Sequence, residues 1–176
     1  MPDPATSSAV LRVVVTTALG ALPLAGASVT VSTAADQPGE RTLLLVLEEG
    51  EEEYHFEKYP HKCVYLKQIE DLDALTTEQL KAWQKEHHAR RVVVELNGMR
   101  LAGEFYEKMP QDWVIAQEVM FADGTTILTY NANMRPLVVD KLQGCEMVVY
   151  NRLPIGTDIM PLHKLARALN RRVDIV

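Results

Sequence analysis

Short apolar runs recur along the chain from residue 42 onward, and stretches with helical spacing separate them. The runs are LLLVL at 43–47, CVYLKQI at 63–69, VVVEL at 92–96, WVIAQEVMF at 113–121, MVVY at 147–150 and VDIV at 173–176. Continuous apolarity, rather than alternation, is typical of strands that are buried on both faces of a sheet. The pattern therefore predicts an α/β fold with a mostly parallel, Rossmann-like sheet and flanking helices.

Helix signals occupy the stretches between these runs. Thr76 and Gln79 have the spacing of a capping box, which predicts that a helix begins there. A second helix is predicted from residue 157 or 158 to about residue 170, with a proline in its first turn. The stretch 125–142 is also helical in pattern, but Pro136 predicts a kink or a split within it.

The N-terminal segment has a different texture. Two β-branched stretches, 10–17 and 27–33, alternate in polarity and are separated by glycine and proline residues. They predict a pair of strands that precedes the sheet. We therefore divide the chain into an N-terminal β-rich segment, residues 1–38, and an α/β domain, residues 39–176.

Charge and composition exclude several classes of function. The net charge is −6, and a nucleic-acid surface would require clustered lysine and arginine instead. Much of the acidity lies in one run, residues 48–57. No apolar stretch is long enough to span a bilayer, and two cysteines are too few for a disulfide framework or a four-cysteine zinc site. These observations favour a cytoplasmic protein that binds neither nucleic acid nor membrane.

Four short motifs accompany the predicted strands in a fixed order. They are Glu48-Glu49-Gly50, Glu95-Leu96-Asn97-Gly98, Phe121-Ala122-Asp123 and Asn151-Arg152-Leu153-Pro154. In this order they resemble the strand-end motifs of the CobW-type P-loop GTPases, the group that includes hydrogenase and urease maturation factors such as HypB and UreG. The resemblance covers residues 39–176, and it implies a P-loop NTPase-type fold that is incomplete at both ends.

The resemblance also implies a role for individual residues. Glu49 and Glu95 match family positions near the Mg²⁺ of the nucleotide and the attacking water, which implies metal-binding and catalytic roles, since Mg²⁺ prefers carboxylate oxygens. The implied nucleotide-binding residues are Asn97, Gly98, Asp123, Asn151 and Arg152. GTP and Mg²⁺ are the implied cofactors.

Each of these assignments has a simpler alternative. The acidic run that contains Glu49 also fits a solvated loop, because blocks of like charge are usually solvent-exposed. Glu95 also fits a carboxylate that caps the following helix. Asn151 also fits a turn residue after a strand.

The chain departs from the family pattern in two places. A phosphate-binding loop requires Gly-x-x-x-x-Gly-Lys-Ser/Thr, but residues 20–28 read GALPLAGAS, with Ala27 in place of the lysine and Pro23 where an N–H is needed. Guanine is read by an Asn and an Asp in this class, and Pro154 stands at the Asp position. We therefore expect triphosphate binding to be weak or absent and hydrolysis to be degenerate.

Three functions follow as hypotheses. The first is a CobW-like GTP-binding-type protein with degenerate hydrolysis and a metallochaperone-related role. The second is an active GTPase with an atypical phosphate loop or a lysine from elsewhere, either Lys141 or Lys164. The third is a non-enzymatic interaction module.

In the third hypothesis the N-terminal strands pair with the sheet edge of a protein partner or of a second copy. Residues 10–33 weakly resemble the first strands of β-sandwich modules of the carboxypeptidase-regulatory and transthyretin-like type. A transition-metal site has less support, because His87 and His88 are adjacent on a predicted helix and point about 100° apart. His55 and His61 flank the acidic run and are the better candidates for such a site.

Overall fold

Seven parallel strands form the sheet of this protein. The structure is a computed structural model and describes residues 11–19, 41–47 and 63–176. The strands are β1 (Leu11–Leu19), β2 (Thr42–Val46), β3 (Val64–Gln68), β4 (Arg91–Leu96), β5 (Trp113–Asp123), β6 (Met147–Asn151) and β7 (Asp174–Ile175). Their order across the sheet is β3-β2-β4-β1-β5-β6-β7, and every neighbouring pair is parallel. The predicted parallel α/β fold is confirmed.

Five helices are described between the strands. They are α1 (Thr77–His87), α2 (Ala102–Tyr106), α3 (Ile127–Asn133), α4 (Arg135–Gly144) and α5 (Met160–Leu169). The capping box predicted at the start of α1 is present, since the Gln79 N–H donates to Thr76 Oγ1 at 3.2 Å and the Thr76 N–H donates to Gln79 Oε1 at 3.0 Å. The predicted split is also present, because α3 ends before Met134 and Pro136 lies in the first turn of α4. Helix α5 begins later than predicted, at Met160, and follows an Asp158 carboxylate that accepts from the Met160 N–H at 3.0 Å.

The described helices pack on one face of the sheet. One buried cluster joins Leu96 of β4 to Phe105 of α2, and another joins Met120 of β5 to Leu142 of α4. Leu96 and Met120 are both register partners of Thr17 in β1, so the two clusters lie on the same side. Each of the five helices contributes a buried residue to one of them. We name this side the helix face.

The opposite side, which we name the far face, is also apolar. Leu44 and Val46 of β2 and Val93 of β4 form a separate buried cluster there. Leu43 and Leu45, which alternate with them, belong to the helix face. Burial on both faces is the reason that these strands read as continuous apolar runs rather than alternating ones.

Strand β1 lies inside the sheet, where it pairs with β4 on one side and β5 on the other. It confirms the first of the two predicted N-terminal strands, whereas the second, residues 27–33, lies outside the described residues. The sequence predicted that both strands form a pair preceding the sheet, whereas β1 is part of the sheet. A β-branched run does not reveal whether its pairing partners are local or distant in sequence. Since both edges of β1 are paired, this strand cannot capture the sheet edge of another chain. The boundary at residue 38 falls outside the described ranges and stays a prediction.

A polar contact on the helix face joins α2 to β5. Tyr106 Oη donates a hydrogen bond to Glu118 Oε1, and both side chains are half-buried. Burial raises the pKa of Glu118, the hydrogen bond from Tyr106 opposes the rise, and the nearby Glu146 and Asp140 carboxylates add to it. A raised pKa means that the folded state holds the proton more tightly, so this group's contribution to stability is lost as the pH rises from its ordinary value of 4.5.

Replacing Tyr106 by Phe should lower the free energy of unfolding by about 1–3 kcal/mol, because Glu118 then loses its donor. The loss should be larger at pH 8 than at pH 5, since the tyrosine hydroxyl stabilises the ionised carboxylate. Urea unfolding at the two pH values measures it. In a Glu118→Gln background the difference between the two pH values should disappear, and an equal loss at both pH values in the parent would contradict the assignment.

No helix within the described ranges is both long enough and apolar enough to cross a bilayer.

Candidate functional site

The direction of the strand order reverses next to β1. The chain moves from β1 to β2 toward one side of the sheet and from β5 to β6 toward the other. Open parallel sheets bind ligands in the crevice outside the carboxyl ends of the strands at such a reversal. The carboxyl ends of β4, β1, β5 and β6 therefore define the candidate site.

Asp123 and Asn151 lie side by side at this edge. Each is the last residue of its strand, and they are register partners in the β5–β6 pair, whose backbones are about 4.8 Å apart. Both point to the far face, because Ala122 and Tyr150 belong to the helix-face cluster. The Gly124 N–H donates to the Asn151 carbonyl at 3.0 Å, and this hydrogen bond joins the ends of the two strands.

Both carboxylate oxygens of Asp123 are engaged. Oδ1 accepts from the Thr125 N–H at 2.8 Å and from the Thr125 hydroxyl at 2.6 Å, while Oδ2 pairs with Arg152 Nη1 at 3.3 Å. Burial raises the pKa of Asp123, but the hydrogen bonds from Thr125 and Arg152 outweigh it and hold the pKa below its usual value of 3.8. Asp123 is therefore a fixed anion at neutral pH, bonded to the turn that follows β5 and to the residue that follows β6.

The end of β6 and the turn after it have three unusual features. Arg152 has a φ of 58°, in the left-handed region that non-glycine residues seldom adopt. Leu153 then approaches Gly124 so closely that a Cβ on Gly124 would lie 2.5 Å from the leucine Cδ2. Asn151 Oδ1 is buried and has no hydrogen-bond partner among the described residues. The turn thus presents an asparagine amide whose acceptor is unsatisfied within the described part of the chain.

Glu95 lies near the end of β4 and is half-buried. Its side chain points to the far face, because its neighbours Val94 and Leu96 belong to the helix-face cluster. Its register partners are Thr16 of β1 and Val46 of β2. The carboxylate therefore lies on the same face as Asp123 and Asn151, beside the end of the central strand.

Asn97 and Gly98 form the turn that follows β4. Asn97 Oδ1 accepts from the Met99 N–H at 2.8 Å, and the Arg100 N–H donates to the Asn97 carbonyl at 3.1 Å. Gly98 is buried in this turn. The Asn97 side chain thus has a role in local turn formation, which the sequence did not distinguish from its predicted contact with a nucleotide.

The described carboxylates do not converge on one metal ion. Thr16 of β1 is the common register partner of Glu95 and Val119, and Asp123 lies four residues beyond Val119. Glu95 and Asp123 are therefore separated by about 13 Å along the strands and about 10 Å across them. Within residues 11–19, 41–47 and 63–176, no group of three His, Cys, Asp or Glu side chains has the geometry of a metal site. These residues alone do not fit the implied Mg²⁺; Glu49, His55 and His61 lie outside the described ranges.

Lys141 and Lys164, the two lysines considered as substitutes for the phosphate-loop lysine, lie on helices of the helix face. Lys141 is almost completely buried, with its side chain 1% exposed. Its Nζ donates to the Arg100 carbonyl and pairs with Asp140 Oδ2 at 3.3 Å, and Asp140 in turn accepts from the Ala102 N–H at 3.0 Å. Lys141 therefore holds the turn after β4 from inside the protein and is not available to a phosphate in this arrangement.

Sequence reasoning missed two contacts around the site. The ion pair joins Asp123 at the end of β5 to Arg152 in the turn after β6, so local spacing gives no signal for it. The burial of Lys141 did leave a signal, because Val138, Lys141 and Leu142 share one face of α4 at i, i+3 and i+4. A lysine on the apolar face of a helix indicates a buried partner.

Comparisons with known proteins agree with this architecture. No protein-family model matches the chain, and no curated protein matches it in sequence. The Zn(II)-bound YjiA GTPase from E. coli matches 94% of this chain with a TM-score of 0.63 at 14% identity. The hydrogenase maturation factor HypB from Archaeoglobus fulgidus matches 96% of it with a TM-score of 0.54 at 11% identity.

The match extends over 57% of the YjiA chain and 81% of the HypB chain. At these identities the likeness is one of fold. The chain shares the parallel α/β fold of YjiA and HypB, as the order of its strand-end motifs predicted.

Proposed function

We propose that this chain is a CobW-like nucleotide-binding protein whose nucleotide hydrolysis is degenerate. The observation that carries the proposal is the constellation of Asp123, Asn151 and Arg152 at the carboxyl ends of β5 and β6, beside the reversal in strand order. Polar groups fixed at that position of a parallel sheet are the usual lining of a nucleotide crevice. The GTPase fold of the structural neighbours supports the same location.

The sequence that follows β1 supports the degenerate part of the proposal. β1 ends at Leu19 beside the strand-order reversal, and the next residues, 20–28, have Ala27 in place of a lysine. That lysine neutralises the β- and γ-phosphate oxygens in P-loop enzymes, so its loss removes the principal cation for a triphosphate. The separation of Glu95 from Asp123 removes the option of a shared Mg²⁺ on those two carboxylates.

The proposal also includes a metallochaperone-related role, which fewer observations support. One neighbour is a Zn(II)-bound GTPase and another is a hydrogenase maturation factor. In this chain Cys145 is buried, and burial raises the pKa of its thiol to about 12, so it does not supply a thiolate at neutral pH. The metal-related part of the proposal therefore rests on the fold and on the acidic run with His55 and His61.

The proposal is tested by titrating the purified full chain with fluorescent mant-GTP and mant-ATP in the presence of Mg²⁺, together with a phosphate-release assay. We expect saturable binding with a Kd above ~1 µM and phosphate release equal to the protein-free blank. Tight Mg²⁺-dependent GTP binding with turnover would instead identify an active GTPase. Absence of saturable binding of either nucleotide would exclude the nucleotide site and favour an interaction module.

A further inference from the structure

We infer that a basic depression at the amino edge of the sheet binds the acidic run, residues 48–57, of a second copy of this chain. The depression has a volume of about 570 Å³, opens to solvent and is lined by Lys81, Gln84, Lys85, His88, Ala89, Arg90 and Asp112. Its size is that of a site for a small ligand or a few residues of a polypeptide. The inference concerns a surface remote from the proposed nucleotide site and does not rest on that site.

The basic depression lies at the opposite end of the strands from the nucleotide site. Arg90 immediately precedes β4, and Asp112 immediately precedes β5. The other lining residues belong to α1 or directly follow it. Gln84 Oε1 accepts from Trp113 Nε1 at 2.9 Å, so the group that remains for a ligand on this side chain is its NH2 donor. The lining therefore combines cations with an amide donor, which is the set of groups that binds carboxylates.

The cations of the basic depression are available to a ligand. Lys81 Nζ and the Asp112 carboxylate are 4.0 Å apart, and both side chains are 57% exposed, so this pair is loose and solvated. Among the described residues, no side chain or carbonyl accepts a hydrogen bond from the side chains of Lys85 and Arg90, and none forms an ion pair with them. One acidic and three basic side chains thus leave a positive charge that the described part of the chain does not neutralise.

Complementing the dipole of α1 does not account for this charge. A cation in the last turn of a helix offsets the partial negative charge of the terminal carbonyls, and Lys85 fits that role. Lys81 lies a turn earlier, however, and Arg90 lies beyond the helix. The terminal carbonyls also have donors already, since Gln84 O accepts from the Ala89 N–H at 3.0 Å and His87 O accepts from Arg41 Nη1 at 3.3 Å.

A short acidic polypeptide is the partner that this surface fits. The whole chain has a net charge of −6, so a long polyanion such as nucleic acid would be repelled beyond the edges of the basic depression. A flat anionic bilayer does not enter a concave surface, and Asp112 opposes it at the rim. A single exposed ion pair contributes little, so binding requires several carboxylates that act together.

The chain itself carries such a segment. Six of the ten residues 48–57 are glutamate, and none is lysine or arginine. Leu47, which precedes the run, lies at the carboxyl end of β2, where its N–H donates to the Glu95 carbonyl at 2.9 Å. Strand β2 pairs with β4, so the start of the run and the basic depression lie at opposite ends of neighbouring strands.

This placement is compatible with a closed dimer. Strand β2 has five residues, which span about 17 Å. A two-fold axis perpendicular to the strands places the carboxyl end of β2 of each copy beside the basic depression of the other. Both pairs of opposite charge then form at once, and no unpaired site is left to extend the assembly into a chain. Electrostatic complementarity of this kind fixes the orientation of the two copies.

The first test is sedimentation velocity of the full chain in 0.1 M and 1 M NaCl, between which the Debye length falls from about 10 Å to about 3 Å. We expect dimers in 0.1 M salt and a dissociation constant that rises about tenfold or more in 1 M salt. A monomer in both buffers would overturn the inference, and this includes a chain whose acidic run binds its own depression. A dimer that does not respond to salt would overturn it equally.

Charge reversal locates the contact. The double variant Lys85→Glu, Arg90→Glu should weaken the dimer about tenfold or more in 0.1 M salt. Lys164→Glu with Arg172→Glu is the matched control, because it makes the same change in net charge at two exposed residues outside the basic depression. The control should keep the dissociation constant within about threefold of the parent value. Equal weakening by both double variants would show an effect of net charge alone and contradict the assignment.

A peptide of residues 47–57 tests the contact without dependence on the folding of a variant. When labelled with a fluorophore it should bind the parent chain and dissociate the dimer, whereas the peptide with its six glutamates replaced by glutamine should bind about tenfold or more weakly. With lysine at those six positions the peptide should bind the Lys85→Glu, Arg90→Glu variant and not the parent. If that variant fails to fold, the comparison of the glutamate and glutamine peptides on the parent decides. Peptide binding by a chain that stays monomeric would exclude a second copy as the occupant.

Discussion

Replacing Val15 by proline should lower the free energy of unfolding strongly, whereas the same change at Ile175 should leave it almost unchanged. Val15 lies in the middle of β1, with Val94 of β4 and Glu118 of β5 as register partners. Proline cannot donate to the ladder and is not accommodated in a central strand, and the carbonyl that loses its donor costs about 1–3 kcal/mol before any steric clash is added. That is a large part of the 5–15 kcal/mol that typically separates folded from unfolded states.

Ile175 provides the control, because it lies in the edge strand β7. Its neighbours donate inward, the Asp174 N–H to the Glu146 carbonyl at 2.8 Å and the Val176 N–H to the Val148 carbonyl at 2.9 Å. In a parallel ladder the intervening N–H points away from the partner strand, so proline at position 175 removes no hydrogen bond to β6. Urea unfolding followed by circular dichroism measures both variants, and we expect a loss below about 1 kcal/mol for Ile175→Pro.

Deleting residues 1–38 should have a still larger effect than the proline, since it removes β1 and exposes the edges of β4 and β5 that β1 pairs. We expect no cooperative unfolding transition in the fragment 39–176. A fragment that unfolds cooperatively would show that the sheet forms without β1. It would support the prediction that the N-terminal strand belongs to a separate module.

The parts of the fold that could be predicted are those with local causes. The apolar run 43–47 identified β2 because Leu43 and Leu44 are buried on opposite faces of the sheet. The capping box at Thr76 fixed the start of α1, and Pro136 fixed the break before α4, because both act within one helical turn.

The position of β1 has no local cause. Its partners, β4 and β5, begin at Arg91 and Trp113, far along the sequence from Leu11. A strand's order in a sheet depends on such long-range pairing, and the alternating texture of residues 10–17 is equally compatible with a local strand pair. The sequence therefore predicted that this strand exists but not where it lies.

The candidate site divides in the same way. Strand-end motifs placed Glu95, Asp123 and Asn151 at the carboxyl edge, since parallel strands share that edge. Their roles in binding stay predictions. The partners of each side chain could not be predicted: Asp123 at the end of β5 binds Arg152 in the turn after β6, and the Asn97 side chain accepts a hydrogen bond within its own turn.

Replacing Lys141 by Met should lower the free energy of unfolding by about 1–3 kcal/mol and loosen the turn after β4. Methionine keeps the length of the apolar stem but leaves the Arg100 carbonyl without its donor, and an unsatisfied buried acceptor costs about that amount. Asp140, which accepts from the Ala102 N–H, also loses the adjacent cation. Urea unfolding measures the stability, and hydrogen exchange at Ala102 measures the turn.

Lys164→Met is the control, because Lys164 is exposed on α5 and its replacement should change stability by less than about 0.5 kcal/mol. The pair of variants also separates two explanations of any phosphate release by the parent chain. If either lysine acted on phosphate, its replacement would leave the free energy of unfolding unchanged, because the cation would be needed only when nucleotide is bound. Unchanged stability of Lys141→Met with loss of nucleotide turnover would therefore contradict the structural role and support an atypical phosphate site. The burial of Nζ against the Arg100 carbonyl leads us to expect the opposite pattern, in which stability falls and exchange at Ala102 accelerates.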